Sequence, residues 1–214
     1  DAVARGSLDM MFSSPFLISD QLPYLTMFTA AYIFQNEQHM RAVMDGEIGQ
    51  KVADDVAEKL NVRWLSALYC GARHLDMRDI GKEITKPEDL NGVNLRMPNS
   101  SAWLFMGKAL GANPTPMAYA EIYQGLQTGA IDGQENPIAV FDSSKFAEVQ
   151  QYVTLWDGVR DTTIWVMSQK TMKKLSPEDQ ALVKECASEA LDWGNDYLAD
   201  NEEAIIQKLR DGGT

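Results

Sequence analysis

Cysteine and histidine are nearly absent from this chain, two of each in 214 residues, and that scarcity removes several chemistries at once. Cys70 and Cys186 stand too far apart for a CxxC metal or redox motif. A single disulfide between them stays open, with two buried free thiols the simpler expectation. The two histidines have no zinc-type spacing, and no nucleophile elbow or glycine-rich phosphate loop occurs. No run of about 18 apolar residues exists, the length that a membrane-spanning helix needs. No basic segment leads into an apolar stretch and a cleavage site, so no signal peptide is visible. Basic side chains are also short, 19 against 31 acidic ones for a formal net charge of -12. Nucleic-acid phosphates would be repelled by such a surface. A small anion meets the same field, screened beyond roughly 8 Å at physiological salt. Any anion site must therefore be local and built from arginine.

What is present is a large apolar fraction, 45% of residues, enough for one sizeable core or two modest ones. The 11 methionines read as adaptable core filler. Short apolar runs at 8–12, 62–69, 93–97, 131–134, 152–156 and 162–168 predict strands, the first two buried. Helical spacing covers 36–60 with breaks at Gly46 and Gly49, then 100–110, 118–128, 137–148 and a final region from Ser176 to Arg210. Alternation of the two predicts an α/β fold with mainly parallel sheets flanked by helices.

Leu95 to Pro137, LRMPNSSAWLFMGKALGANPTPMAYAEIYQGLQTGAIDGQENP, has the layout of a site. Arg96 ends a strand with a planar, permanently charged fork that suits a carboxylate, with an ordinary surface arginine the alternative. Asn99 and Ser100 follow at the start of a helix whose free N–H groups favour an anion. Glu135 and Asn136 leave a later strand toward the same end. Glu135 accepts a ligand hydroxyl or neutralises a spare charge, and Asn136 is a ligand donor or a turn former. Polar groups of this kind favour a hydroxylated or sugar acid. Tyr119 and Trp103 are aromatic candidates for the ligand's carbon skeleton, with core packing the alternative. Phe12, Ser13 and Ser14 follow the first strand, where ligands sit in parallel sheets. Arg73 and His74 sit in a Gly71–His74 turn at the end of the second strand. Arg78 competes with Arg73 for the second cation, though a solvated charge cluster with Asp76 and Asp79 is its simpler reading, and a structural role is the simpler one for His74.

LRMPN, GANPTPMAYAEIYQGLQTGAIDGQENP, KFAEVQQYV, GSLDM, GARH and KPEDLNGVNLR occur in that family's order when this chain is set beside the solute-binding receptors of tripartite ATP-independent periplasmic (TRAP) transporters, dicarboxylate-binding type, which it resembles over its whole length. The resemblance implies a two-lobed periplasmic binding fold with a ligand cleft between lobes. It assigns 1–72 to a first lobe lacking its N-terminal part, 73–161 to a second, 162–200 to a return to the first, and 201–214 to a helix end packed on the second. Residue by residue, it implies Arg96 as the main carboxylate clamp, Arg73 as a second cation and Asn136 as the amide that holds the first arginine's partner. It implies a receptor that captures a small organic acid by lobe closure, outside the cytoplasm, and delivers it to TRAP membrane subunits, as a monomer or a dimer. No cofactor or metal is implied. A ligand-sensing domain of a signalling system shares these features, and a hydrolase or lyase with Glu135, Asp132 or His74 as general base is the enzymatic alternative.

Overall fold

The computed structural model describes residues 1–213. In chain order the elements are α1 (Ala2–Arg5), β1 (Met10–Ser13), α2 (Glu37–Asp45), α3 (Glu47–Leu60), β2 (Val62–Met77), β3 (Asn94–Met97), α4 (Ser101–Ala109) and β4 (Asn113–Pro116). They continue with α5 (Ile122–Thr128), β5 (Gly133–Pro137), α6 (Ile138–Ser143), β6 (Tyr152–Ser168), α7 (Gln169–Met172) and α8 (Pro177–Gly212). The chain divides into two compact units. One comprises Asp1–Phe28, Phe34–Cys70 and Thr162–Ala199, the other Thr29–Ile33, Gly71–Asp161 and the chain from Asp200. Thr29–Ile33, Gly71 and Ala72 thus group apart from the rest of 1–72.

In the first unit, α2 and α3 turn an apolar stripe inward because Met40, Met44, Val52 and Val56 recur at helical spacing. Asn36 caps α2 by accepting from the His39 N–H at 2.8 Å. The stripe packs with Leu22, Leu25, Phe28, Ile164 and Val166, and each such side chain fully buried contributes about 1.5–3 kcal/mol. The helical break falls at Gly46 alone, and Gly49 lies inside α3. β1 pairs antiparallel with β6, from Met10 opposite Met167 to Ser13 opposite Ile164. Its expected burial does not hold, because Met11 and Phe12 are exposed on an outer strand. Cys70 and Cys186 are unbridged, and Cys186 is exposed where a buried thiol was expected.

In the second unit, β3 pairs parallel with β4 and with β5, while β2 pairs antiparallel with β5. The sheet is therefore mixed, with helices flanking it. Leu95 and Met97 of β3 are wholly buried, and α4 lies close over β3 and β4 at Gly107, where a Cβ would sit 3.0 Å from Met97 and Pro114 atoms. A second apolar cluster joins Ile122, Leu126, Ile131, Ile138, Phe141, Phe146 and Leu209.

The two longest strands correct the expected boundaries. β2 runs through Gly71 to Met77, so Arg73 and His74 lie within a strand and not in a turn. Gly71 adopts φ 102, a conformation open to glycine that bends a strand without ending it. β6 is likewise one strand where two were expected: Asp157 takes φ 51, and the chain continues past it to Ser168. β5 begins later than expected and contains Glu135 and Asn136.

Candidate functional site

β2, β3, β5 and β6 bring Arg73, Arg96, Glu135, Asn136 and Asp161 together inside the second unit. Antiparallel pairing of β2 with β5 sets Arg73 opposite Pro137 and Leu75 opposite Glu135, so the Arg73 and Glu135 side chains meet on the diagonal. Arg73 donates from Nε and, at 3.0 Å, from Nη2 to the two carboxylate oxygens of Glu135. Nη2 also donates to the Glu135 carbonyl at 2.8 Å and to Asn136 Oδ1 at 3.0 Å. Nη1 donates to Asp161 Oδ2 at 2.7 Å, and the guanidinium lies 4.8 Å from the Trp103 ring centroid. Burial alone would lower the Arg73 pKa, but the Glu135 and Asp161 carboxylates outweigh it and raise it. Burial raises the Glu135 pKa, and Arg73 opposes the rise. Of the five N–H groups that arginine carries, Arg73 leaves one, on Nη1, without a protein acceptor.

Arg96 is the opposite case. Its Nε donates to the Met117 carbonyl at 2.9 Å, and among the described residues Nη1 and Nη2 have no hydrogen-bond or ion-pair partner. The residue is only 4% exposed. Burial pushes its pKa down to about 10, with Arg73 acting in the same sense and Glu135 and Tyr119 against it. It remains charged at neutral pH and carries an electrostatic cost that an anion would relieve.

Behind Asn136 runs a buried chain of polar side chains. Asn136 Nδ2 donates to Gln134 Oε1, and Gln134 Nε2 donates to Asp76 Oδ2 at 2.6 Å and to Gln150 Oε1 at 3.3 Å. Gln150 Nε2 donates to the Asp76 carbonyl at 2.6 Å. Donor and acceptor alternate from Arg73 to Asp76, so each amide has one permitted orientation. Asp76 is wholly buried with Oδ1 unpartnered, and burial, aided by Glu135, raises its pKa well above the usual range. A carboxyl with a raised folded-state pKa stabilises most below its unfolded value and loses that contribution as pH rises through the folded one. Asp76→Asn keeps the acceptor for Gln134 and removes the charge. Its melting temperature is expected to exceed the parent's by a margin that widens between pH 5 and pH 9, about 2–4 °C per kcal/mol in a domain of this size. A margin independent of pH would refute this account of Asp76.

The other sequence candidates fall as follows. Trp103 is buried, on α4, against Arg73. Tyr119 is half exposed, its hydroxyl 2.5 Å from Ser144 Oγ and its ring edge-on to Phe146. Asn99 is exposed, and Ser100, at the start of α4, makes no capping bond and has a buried, unpartnered Oγ. Phe12, Ser13 and Ser14 belong to the first unit: Phe12 stacks on Trp165 at 5.1 Å, Ser13 is buried, and Ser14 precedes a 3-10 turn. Arg78 donates to the Ile131 carbonyl at 3.5 Å. His74 is buried with neither ring nitrogen hydrogen-bonded, and burial lowers its pKa, so the expected structural hydrogen bond is not formed. Asp161, Asp76, Gln134 and Gln150 were not anticipated. Asp76, Gln134 and Asp161 lie on β2, β5 and β6 and Gln150 just before β6, and no feature of the sequence singles them out.

No group of His, Cys, Asp and Glu among the described residues could hold a metal ion, and no helix is long and apolar enough to cross a membrane. The profile of the bacterial extracellular solute-binding protein family 7 matches residues 1–214. A solute-binding protein of Roseobacter denitrificans is 35% identical over 92% of this chain and 59% of its own length. The 2,3-diketo-L-gulonate-binding periplasmic protein YiaO of Escherichia coli is 31% identical over 99% of this chain and 63% of its own. The chain thus spans about three fifths of these relatives. Among solved structures, a TRAP periplasmic solute binding protein of Roseobacter denitrificans with bound 3-deoxy-D-manno-oct-2-ulosonic acid superposes with a TM-score of 0.95 at 38% identity, over 100% of this chain and 70% of that one.

Proposed function

This chain belongs to the bacterial extracellular solute-binding proteins of family 7, and on that premise we propose that it is part of a periplasmic receptor, not an enzyme, that captures a sugar acid and hands it to TRAP membrane subunits. The observation that carries this reading is Arg96, a buried guanidinium with two unpartnered nitrogens. Its free face matches the two oxygens of a carboxylate, and a hydrogen bond to a charged group contributes about 1.5–3 kcal/mol net. Arg73, held rigid by Glu135, Asp161 and Asn136, keeps one N–H for the same anion. Tyr119, Asn99, Ser100, Trp103 and Glu135 are proposed to surround the rest of the ligand. A sugar acid is favoured because the acids named for the bound relatives are hydroxylated, and because buried donors left unpaired penalise an apolar ligand.

Thermal denaturation of the intact protein against aldonic, uronic and ulosonic acids, the matching neutral sugars and apolar acids tests the proposal. A ligand at a hundredfold excess over its dissociation constant adds about 2.7 kcal/mol, or roughly 5–10 °C. That shift is expected from hydroxylated acids only. Stabilisation by neutral sugars, or by apolar acids alone, would sink the reading, and turnover of a bound acid would restore an enzyme.

A further inference from the structure

Resting on the reading of Arg96 as the ligand's cation, we propose that the site accepts one carboxylate and rejects a second, so that the receptor selects monocarboxylic polyhydroxy acids over the matching diacids, with Glu135 and Asp161 as the residues that set this limit. Arg73 and Arg96 are the two buried arginines among the described residues. Counted by residue type they invite a dianion, one guanidinium for each carboxylate. The hydrogen bonds say otherwise: Arg73 is already flanked by two carboxylates, Glu135 on one side and Asp161 on the other. Two carboxylates more than offset its single positive charge before any ligand enters, so its one free N–H can add a bond but no net attraction.

Among the described residues Arg96 is then the one of the pair with no carboxylate hydrogen-bonded to it, and it matches a single carboxylate. A second ligand carboxylate held in this unit would be desolvated beside Glu135 and Asp161 with no cation left to meet it. Burying a charge without a partner is strongly unfavourable, and like charges set together oppose binding. The loss is expected to be at least about tenfold in affinity, the equivalent of about 1.4 kcal/mol. The hydroxyl groups of a polyol chain carry no such penalty, since each can both donate and accept.

Calorimetric titration of the intact protein at pH 7.5 with galactonate, galactarate and the monoamide of galactarate tests this, with erythronate and tartrate as a four-carbon pair. The monoacid and the monoamide are expected to bind at least about tenfold more tightly than the diacid. The monoamide matches the diacid in size and lacks its second charge, so it separates charge from fit. In Asp161→Asn, which keeps an acceptor for Arg73 and removes a charge, the diacid should gain several-fold relative to the monoacid. A diacid that binds as tightly as its monoacid overturns the proposal, as does a monoamide as weak as the diacid or an unchanged ratio in folded Asp161→Asn. If that variant does not fold, the monoamide comparison in the parent protein decides alone. Failure of every acid to bind overturns the receptor reading and this one with it, whereas a tight diacid overturns this one only.

Discussion

Arg96→Ala is expected to weaken sugar-acid binding by at least about 30-fold while leaving the ligand-free protein as stable as the parent or more so. Truncating one partner of a buried, hydrogen-bonded charge pair costs about 2–5 kcal/mol in binding, and each 1.4 kcal/mol is about a factor of ten. Stability moves the other way because the ligand-free arginine is an unrelieved buried charge. Its removal leaves one protein acceptor, the Met117 carbonyl, without its donor, and Glu135 still has Arg73. Titration calorimetry and ligand-free thermal denaturation, run on the same preparation, read both quantities. A loss of affinity smaller than about threefold, or a collapse of the ligand-free fold, would show that Arg96 has a protein partner and not a ligand to satisfy.

Arg73→Met should show the reverse pattern, a large loss of stability before any ligand is added. Removing one member of a buried ion pair costs about 3–5 kcal/mol because the partner charge is left uncompensated, and here there are two such partners, Glu135 and Asp161. In a domain of this size that amounts to a fall in melting temperature of roughly 6–20 °C. Adding Glu135→Gln to Arg73→Met removes one orphaned charge and should recover part of the loss, a non-additivity expected only for groups in direct contact. If the double variant is less stable than Arg73→Met by the full effect of Glu135→Gln alone, the two residues do not act as a pair.

The two arginines are alike as letters in the sequence, and this marks where sequence reasoning stops. Composition and motif order suffice to set Arg96 at a strand end and to call for a local arginine-built site in a chain of net charge -12. They cannot say which arginine is free, because that depends on the pairing of β2 with β5, which sets Glu135 diagonal to Arg73. Helices 37–45 and 47–60 were legible because an apolar stripe repeats every three or four residues. The full lengths of β2 and β6 were not. Gly71 and the Asp157–Gly158 pair are turn formers by type, and only the structure shows that each strand continues through them. The outcome for Glu135 was one of two open readings. It neutralises a charge in this structure, and hydroxyl binding by the same residue is proposed and not observed.

The alternating donors and acceptors behind Asn136 have an evolutionary consequence. An amide that must present oxygen to Arg73 and nitrogen to Gln134 cannot be exchanged for a carboxylate or a hydroxyl without reversing or emptying a bond further along, and Gln134 is constrained in turn by Asp76 and Gln150. Substitutions at these four positions are therefore epistatic: a change tolerated in one sibling lineage is harmful in another whose other three residues differ. Drift among descendants of this protein should proceed at these sites by joint replacement, while neighbours such as Asn99 and Tyr119, exposed to solvent, are free to change singly.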